Sequence, residues 1–353
     1  MKPKKSKQEE KNMSERTKLA VIGAGGIANN VHLPSLAEMT DICEVVAIAD
    51  LVEEKAKNAA EKYNIPRTYR WHQDLLASEK VDGILCLVQP DLTYRVASDC
   101  IKAGNNVLME KPAGITSYQA ESLARCAEKY NRVAAVAMNR RHVPVVQKVF
   151  SIMKELTEIT QVDGCFIKLS NVADGWHYAD AFVCDIVHAT DLVRYLSGGE
   201  PLDAATVIGQ HNSPVPNAWS SVIAFDNGIT GTLRANYQTA ARIHNFEIHG
   251  PKASAYINLG FPGTKGCDAT IIHSNGKPMY SQAAVGVGSQ LVEHIDGIEL
   301  AGGNDKLYAH YGYKQEDIDF VQCLATGRKP LCTIDDAAKS MHLVEMLLEN
   351  RIN

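Results

Sequence analysis

No run in this chain comes near the roughly 20 consecutive apolar residues that a membrane-spanning helix needs. The longest apolar stretch, Val81 to Leu87, has the length of a strand and already contains Asp82. The nine cysteines include no C-x-x-C pair, which speaks against a zinc ribbon. Several lie inside apolar runs such as Ile84-Leu85-Cys86-Leu87-Val88, where buried, reduced thiols belong. A basic surface is missing as well. The formal net charge is −5, and because residues 1–18 hold seven Lys/Arg against three Glu, the remaining body stands at −9. Such a body lacks the clustered cations that phosphate contacts require, so a nucleic-acid partner is not expected. The N-terminal tail, residues 1–16, has none of the 7 to 15 apolar residues of a signal-peptide core. It reads as a disordered or non-native extension, or as residues upstream of a true start at Met13. A soluble, cytoplasmic protein is the expectation.

What is present suits two globular domains. The chain has 353 residues, 45% hydrophobic and 22% charged, which is enough for two separate cores. From Lys18, short buried-strand runs alternate with helical periods. The strands are Lys18 to Ile22, Val45 to Ala49, Gly83 to Val88, Asn106 to Met109 and Val133 to Met138. The helices between them are Glu53 to Tyr63, Leu92 to Ala103 and Ser117 to Tyr130. This alternation specifies an α/β Rossmann domain, a doubly wound parallel sheet, over residues 17–138. Beyond it the pattern changes. Val162 to Ser170 alternates as a strand, Asp180 to Leu196 has helical spacing, and Ser220 to Phe225 with Ile229 to Tyr237 flank the turn Asp226-Asn227-Gly228. Further strand runs follow at Phe246 to His249 and Ala253 to Leu259, and helices at Tyr313 to Ala325 and Asp335 to Leu348. Residues 139–353 therefore read as an α+β domain with an open, mainly antiparallel sheet, suited to substrate binding and oligomerisation.

Gly23-Ala24-Gly25-Gly26-Ile27-Ala28 fits G-x-G-x-x-G/A directly after the first strand. Alone the motif is weak, but Asp50 ends the second strand 22 residues after Ala28, where a ribose-binding acid is expected. Gly23 permits the tight turn, Gly25 lets the backbone approach a pyrophosphate, and Ala28 lets helix and strand pack. The amides of the following turn, Gly26 and Ile27 among them, face the phosphates. Asp50 accepts from ribose hydroxyls and repels a 2′-phosphate, so NAD is favoured with NADP as the alternative. Asp50 could also simply cap the helix that begins near Glu53. Pro34 departs from an ideal first helix, and a break after the first turn is expected there.

Glu110-Lys111-Pro112 follows the fourth strand at the carboxyl edge, where ligands of open α/β sheets bind. Taken alone it is usually a solvated turn. In Asp185-Ile186-Val187-His188-Ala189-Thr190-Asp191, α-helical spacing puts Asp185 and His188 on one face and Asp191 toward its edge. No second histidine or cysteine cluster stands at ligand spacing, so no metal is expected.

Three motifs in order carry a resemblance over nearly the whole chain from Lys18. They are the glycine loop running into Val31-His32-Leu33-Pro34, Glu110-Lys111-Pro112 after Ala103-Gly104-Asn105-Asn106-Val107-Leu108-Met109, and His188-x-x-Asp191 before Tyr195-Leu196-Ser197-Gly198. With these the chain resembles the glucose-fructose oxidoreductase / inositol dehydrogenase / MocA-like (Gfo/Idh/MocA) family. The resemblance implies that Lys111 and His188 are catalytic and that Glu110 and Lys111 also meet the cofactor. It further implies a dimer or tetramer. Two departures stand out. The family's acid lies four residues before its histidine, where this chain has Cys184, so Asp185 is expected to substitute. The turn after the third strand is Gln89-Pro90-Asp91-Leu92-Thr93-Tyr94 rather than Thr-Pro-Asn followed by histidine, and Pro90 is taken as its cofactor-facing residue.

The implied reaction is hydride transfer between a nicotinamide and a secondary hydroxyl or carbonyl of a sugar, sugar derivative or cyclitol. Histidine titrates near neutrality and suits the base. A lysine ammonium stabilises a developing alkoxide. Asp185 fixes the imidazole or binds a neighbouring hydroxyl. Asp174-Gly175-Trp176-His177-Tyr178 could wall the substrate site, or be an ordinary loop. The alternatives are an NAD-dependent lyase or glycoside-cleaving enzyme using transient hydride transfer, and a non-catalytic dinucleotide-binding regulator.

Overall fold

The computed structural model describes residues 16–170, 180–260, 266–274 and 291–352. The segment Asp174 to Tyr178 lies outside them. The chain divides into two compact units. The first comprises the chain through Gly114, Tyr118–Ala137 and Tyr313–Ala337; the second comprises Ile115–Ser117, Met138–Gly312 and the residues from Ala338 onward.

In the first unit, β1 (Thr17–Ile22), β2 (Cys43–Ala49), β3 (Arg67–Tyr69), β4 (Gly83–Cys86), β5 (Asn106–Glu110) and β6 (Ala134–Ala137) form a six-stranded sheet in the order β3-β2-β1-β4-β5-β6. Every pairing is parallel. The strands are apolar on both faces, as a sheet covered by helices demands. Glu53–Tyr63 shows how the sequence writes a covering helix. Ala56, Ala59 and Ala60 recur at i, i+3 and i+4 and are buried, and Asn64 ends the helix in the left-handed region at φ 55°. The β3 strand is too short and exposed to leave a hydrophobic signature.

The helix expected at Tyr313 to Ala325, as part of the second domain, forms over Tyr313–Thr326. It belongs instead to the first unit, where Phe320 and Val321 join the core formed by Leu19, Val21, Ile48 and Leu85. Gly83 makes room for it, since a Cβ there would stand 2.9 Å from the Phe320 ring. Local periodicity fixes which face of a helix is apolar. It does not say which core receives that face.

The second unit is built on an eight-stranded sheet in the order β14-β13-β12-β11-β7-β10-β9-β8. Its strands are β7 (Gln161–Leu169), β8 (Pro201–Gly209), β9 (Ala218–Phe225), β10 (Thr230–Asn236), β11 (Gln238–Gly250), β12 (Ala253–Asn258), β13 (Asp268–His273) and β14 (Leu291–Asp296). Only β7 with β10 is parallel; the other pairs are antiparallel, and the expected hairpin is β9 with β10. The helix Val187–Ser197 lies on one face. Gly164 and Gly231 admit it, because a Cβ at either would press on Val193, at 2.8 and 3.3 Å. Among the described residues no helix is long and apolar enough to cross a membrane.

Candidate functional site

Each unit carries its own set of polar side chains. In the first, the carboxyl ends of β1, β2, β4 and β5 hold Gly23, Asp50, Pro90 and Glu110-Lys111 respectively. The topological switch of the sheet, where the chain leaves β1 to opposite sides, is between β1 and β4. Gly23 has φ +102°, and a Cβ there would collide with the Leu87 carbonyl. A Cβ on Gly25 would meet nothing within 4 Å, and one on Gly26 only the Asn30 side chain at 3.7 Å. The loop is thus closed behind Gly23 and open at Gly25 and Gly26, as a backbone cradle for a pyrophosphate requires. Asn29 braces the loop, its amide donating to the Ala24 and Gly25 carbonyls at 2.9 and 3.1 Å.

The helix that follows opens with a π-turn, Ala28–His32, next to Ile27, and continues as α-helix over Leu33–Ala37 with Pro34 in its first turn. The expected break at Pro34 is replaced by this wider turn, in which the Leu33 amide bonds back to the Ala28 carbonyl just before the proline. Asp50 is half-buried; Oδ2 accepts from the Ala24 amide and Oδ1 from the Val52 amide, both at 2.8 Å. The acid therefore holds the glycine loop as well as offering its remaining lone pairs outward. Pro90 occupies the first turn of Pro90–Lys102.

Behind Lys111 lies a cluster that sequence reasoning did not assign. The Lys111 amide donates to Glu110 Oε2 at 3.0 Å. Glu110 Oε1 is 3.5 Å from His32 Nε2, and His32 Nδ1 is 2.8 Å from Asp317 Oδ1. His32 is wholly buried, and Asp317 is 1% exposed. Burial alone would depress the His32 pKa, but Asp317 and then Glu110 outweigh it and raise it well above the usual value. With Asp317 hydrogen-bonded at Nδ1 and the Glu110 carboxylate 3.5 Å from Nε2, the imidazolium is the form that suits the site. Glu316, also buried, is pushed strongly upward by desolvation, with the nearby Glu110 and Asp317 charges adding to it against the opposing effect of His32. His32 was visible in the sequence as part of a motif; its partner Asp317 is 285 residues away.

In the second unit the run expected to be one α-helix begins with a π-turn, Phe182–Ile186, before Val187–Ser197. Five residues share that wide turn, so regular α spacing does not describe the step from Asp185 to His188. Cys184 is fully buried among apolar neighbours. The half-buried Asp185 carboxylate pairs with Lys168 Nζ and accepts from the Tyr237 hydroxyl at 2.7 Å. Burial, and then the Asp185 charge, raise the Tyr237 pKa well above its usual value. His188 is 8% exposed. Asp191, the last member of the motif, is fully buried; it takes Arg141 bidentately, Nη2 to Oδ1 at 2.5 Å and Nε to Oδ2 at 2.8 Å, with Ser340 Oγ at 2.7 Å. It therefore anchors the helix that carries His188. Lys168, Tyr237 and Arg141 left no local signal, because each is brought in by cross-strand or inter-element packing.

One group among the described residues has the spacing of metal ligands: Asp163, Glu247 and His249, on the sheet face away from Val187–Ser197. Asp163 is already held by the Gln161 amide and the Thr232 hydroxyl. Nothing links this group to the residues above.

Two family models match the chain in succession. A family model described as oxidoreductase family, NAD-binding Rossmann fold, matches residues 17–138, and the GFO/IDH/MocA C-terminal domain matches 127–256. An uncharacterized oxidoreductase of Rhizobium meliloti is 25% identical over 76% of this chain and 82% of its own length. The rhizopine catabolism protein MocA of the same organism is 29% identical over 53% of this chain and 59% of its own length. Trans-1,2-dihydrobenzene-1,2-diol dehydrogenase of Xenopus tropicalis is 31% identical over 39% of this chain and 42% of its length. The match thus spans less than two thirds of these last two relatives. Among solved structures, UDP-N-acetylglucosamine 3-dehydrogenase from Acidithiobacillus ferrooxidans superposes with TM-score 0.78 at 19% identity, covering 96% of this chain and 98% of its own. Levoglucosan dehydrogenase in complex with NADH and levoglucosan gives 0.78 at 18%, covering 95% and 97%. The chain belongs to the Gfo/Idh/MocA family of oxidoreductases and carries that family's NAD-binding Rossmann domain.

Proposed function

We propose that this protein is an NAD-dependent dehydrogenase that oxidises a secondary hydroxyl of a sugar, sugar derivative or cyclitol, or reduces the corresponding carbonyl. The observation that carries the reading is the placement of the open glycine loop, Asp50 and Glu110-Lys111 on one carboxyl edge of the parallel sheet. Gly23, Gly25, Gly26, Ile27 and Ala28 would hold the pyrophosphate, Asp50 the adenine-side ribose, and Pro90 and Glu110 the loops around the nicotinamide. Bound NAD supplies the hydride acceptor. His188 takes the hydroxyl proton, the Lys111 ammonium stabilises the alkoxide that proton loss creates, and Asp185 orients the substrate with Lys168 and Tyr237. Relatives named as sugar dehydrogenases favour this substrate class.

The test is a panel of myo-inositol, D-glucose, levoglucosan and acidic sugars with NAD, followed by NADH absorbance and by product analysis to catch redox-neutral turnover. On the best substrate, Lys111→Met and His188→Asn each lower kcat by about 10²-fold or more while NAD affinity is kept, because both act on charge present only in the transition state. Near-normal turnover in His188→Asn, with the same pH profile, would make that histidine structural.

A further inference from the structure

We propose that the second unit holds a subsite for an anionic group, carboxylate or phosphate, borne by the substrate, built on Arg140 with Arg242 and backed by His244 and Phe166. This deepens the reading above, since it rests on the second unit receiving the substrate.

Arg140 is 3% exposed, and Nη2 lies 3.2 Å from His244 Nδ1. Its Nε and Nη1 are buried with no hydrogen-bond partner, and among the described residues no carboxylate lies within ion-pair distance. A guanidinium cannot shed its proton, and a buried charge without a counter-ion is strongly disfavoured. The Phe166 ring, 4.7 Å from the guanidinium carbon, offers only its π-face.

The surroundings add positive charge. Phe166 and His244 are register partners on β7 and β11 and stack at 4.0 Å. Lys168 follows Phe166 on the same sheet face by the two-residue alternation of β7, and Arg242, in the irregular stretch of β11, reaches the cluster through the Tyr311 hydroxyl, which lies 3.5 Å from His244 Nδ1. Arg242 donates to the Tyr311 hydroxyl at 2.8 Å and the Leu259 carbonyl at 3.4 Å, neither of which neutralises it. Burial, with the charges of Arg140, Arg242 and Lys168, keeps His244 neutral. Three cations thus surround His244, and among the described residues only Lys168 has an ion-pair partner, Asp185. Asp180 accepts from the Phe182 amide at 2.7 Å, and burial raises its pKa. Through Lys168 and Asp185 the cluster adjoins the turn that leads to His188, so a hydroxylated ligand could place its charged group on Arg140 and a hydroxyl farther along. The planar guanidinium fork pairs bidentately with two oxygens of a carboxylate or a phosphate.

The experiment is calorimetric titration of the full NAD-saturated protein with D-glucuronate, glucose 6-phosphate, D-glucose and inorganic phosphate, repeated in Arg140→Gln and Arg242→Gln. Expected is at least tenfold tighter binding of one anionic sugar than of D-glucose, reduced at least tenfold by Arg140→Gln and severalfold by Arg242→Gln, with circular dichroism unchanged. Glucuronate against glucose 6-phosphate tells carboxylate from phosphate. Should Arg140→Gln fold poorly, Arg242→Gln, at an exposed residue, carries the decision alone. Equal affinity for charged and uncharged sugars, no binding of either, or anion binding that neither variant weakens overturns the subsite. Fast NADH formation from a neutral polyol, unaltered in Arg140→Gln, would sink the subsite and keep the dehydrogenase. Arginine-dependent binding of glucuronate with no hydride transfer from any sugar does the opposite.

Discussion

Asp50 is already engaged before any cofactor arrives, with one oxygen on the Ala24 amide and the other on the Val52 amide. The two readings of this acid, ribose acceptor and helix-start cap, are therefore compatible. Each carboxylate oxygen keeps a lone pair for a ribose hydroxyl, while a 2′-phosphate would face like charge. NAD is expected to bind the wild type more tightly than NADP. Asp50→Ala removes both the repulsion and the brace on the glycine loop, so NAD affinity should fall by about tenfold, the worth of one to two hydrogen bonds, and the gap between the cofactors should narrow. Fluorescence titration of both cofactors against both proteins reads this directly. Equal affinities in the wild type would remove Asp50 from the selective role.

At the scale of elements, the two π-turns, Ala28–His32 and Phe182–Ile186, stand at the starts of the two helices that matter most for the proposed chemistry. Neither was legible, because a residue added to a helical turn costs the sequence no apolar position. The glycine loop and the ends of β1, β2 and β5 were legible, since backbone conformation there demands particular residue types. The His32 cluster was not, as it joins the first helix, β5 and Tyr313–Thr326 across long sequence gaps. It has a pH signature. The raised His32 pKa means its stabilising charge is fully present below an unfolded value near 6.5 and is lost as pH rises through the folded value. Glu316, also raised, retains a proton that the unfolded chain releases above about 4.3, so it too makes stability fall with rising pH. In urea unfolding, His32→Gln should cost about 3–5 kcal/mol at pH 6 and less at pH 9. Glu316→Gln should flatten the decline between pH 5 and 9. Parallel curves for all three proteins would show that neither group titrates in this way.

At the scale of the molecule, one face of the eight-stranded sheet carries Val187–Ser197, and the other displays Val207, Val222 and Tyr256, exposed by 50, 55 and 43%. Apolar strand residues open to water on a broad sheet suit a second copy of the same chain. A homo-dimer or homo-tetramer is the expected state, and light scattering checks it; a monomer at working concentration ends the idea. The two-domain plan and both sheet types could be read from periodicity. What could not be read is that residues far down the chain return to the first sheet, because an amphipathic helix written after the second domain fits either core equally well on paper.

That return has a consequence for how the protein is made. Phe320 and Val321 belong to the core of the sheet whose strands end at Ala137, so a sheet synthesised ahead of the second unit is completed only after it. While residues 138–312 emerge, Leu19, Ile48 and Leu85 lack two of the side chains that finally cover them, and Asp317 has not yet reached His32. A nascent chain halted before Tyr313 would carry every residue of the glycine loop and still leave part of its hydrophobic wall and the partner of its buried imidazolium untranslated.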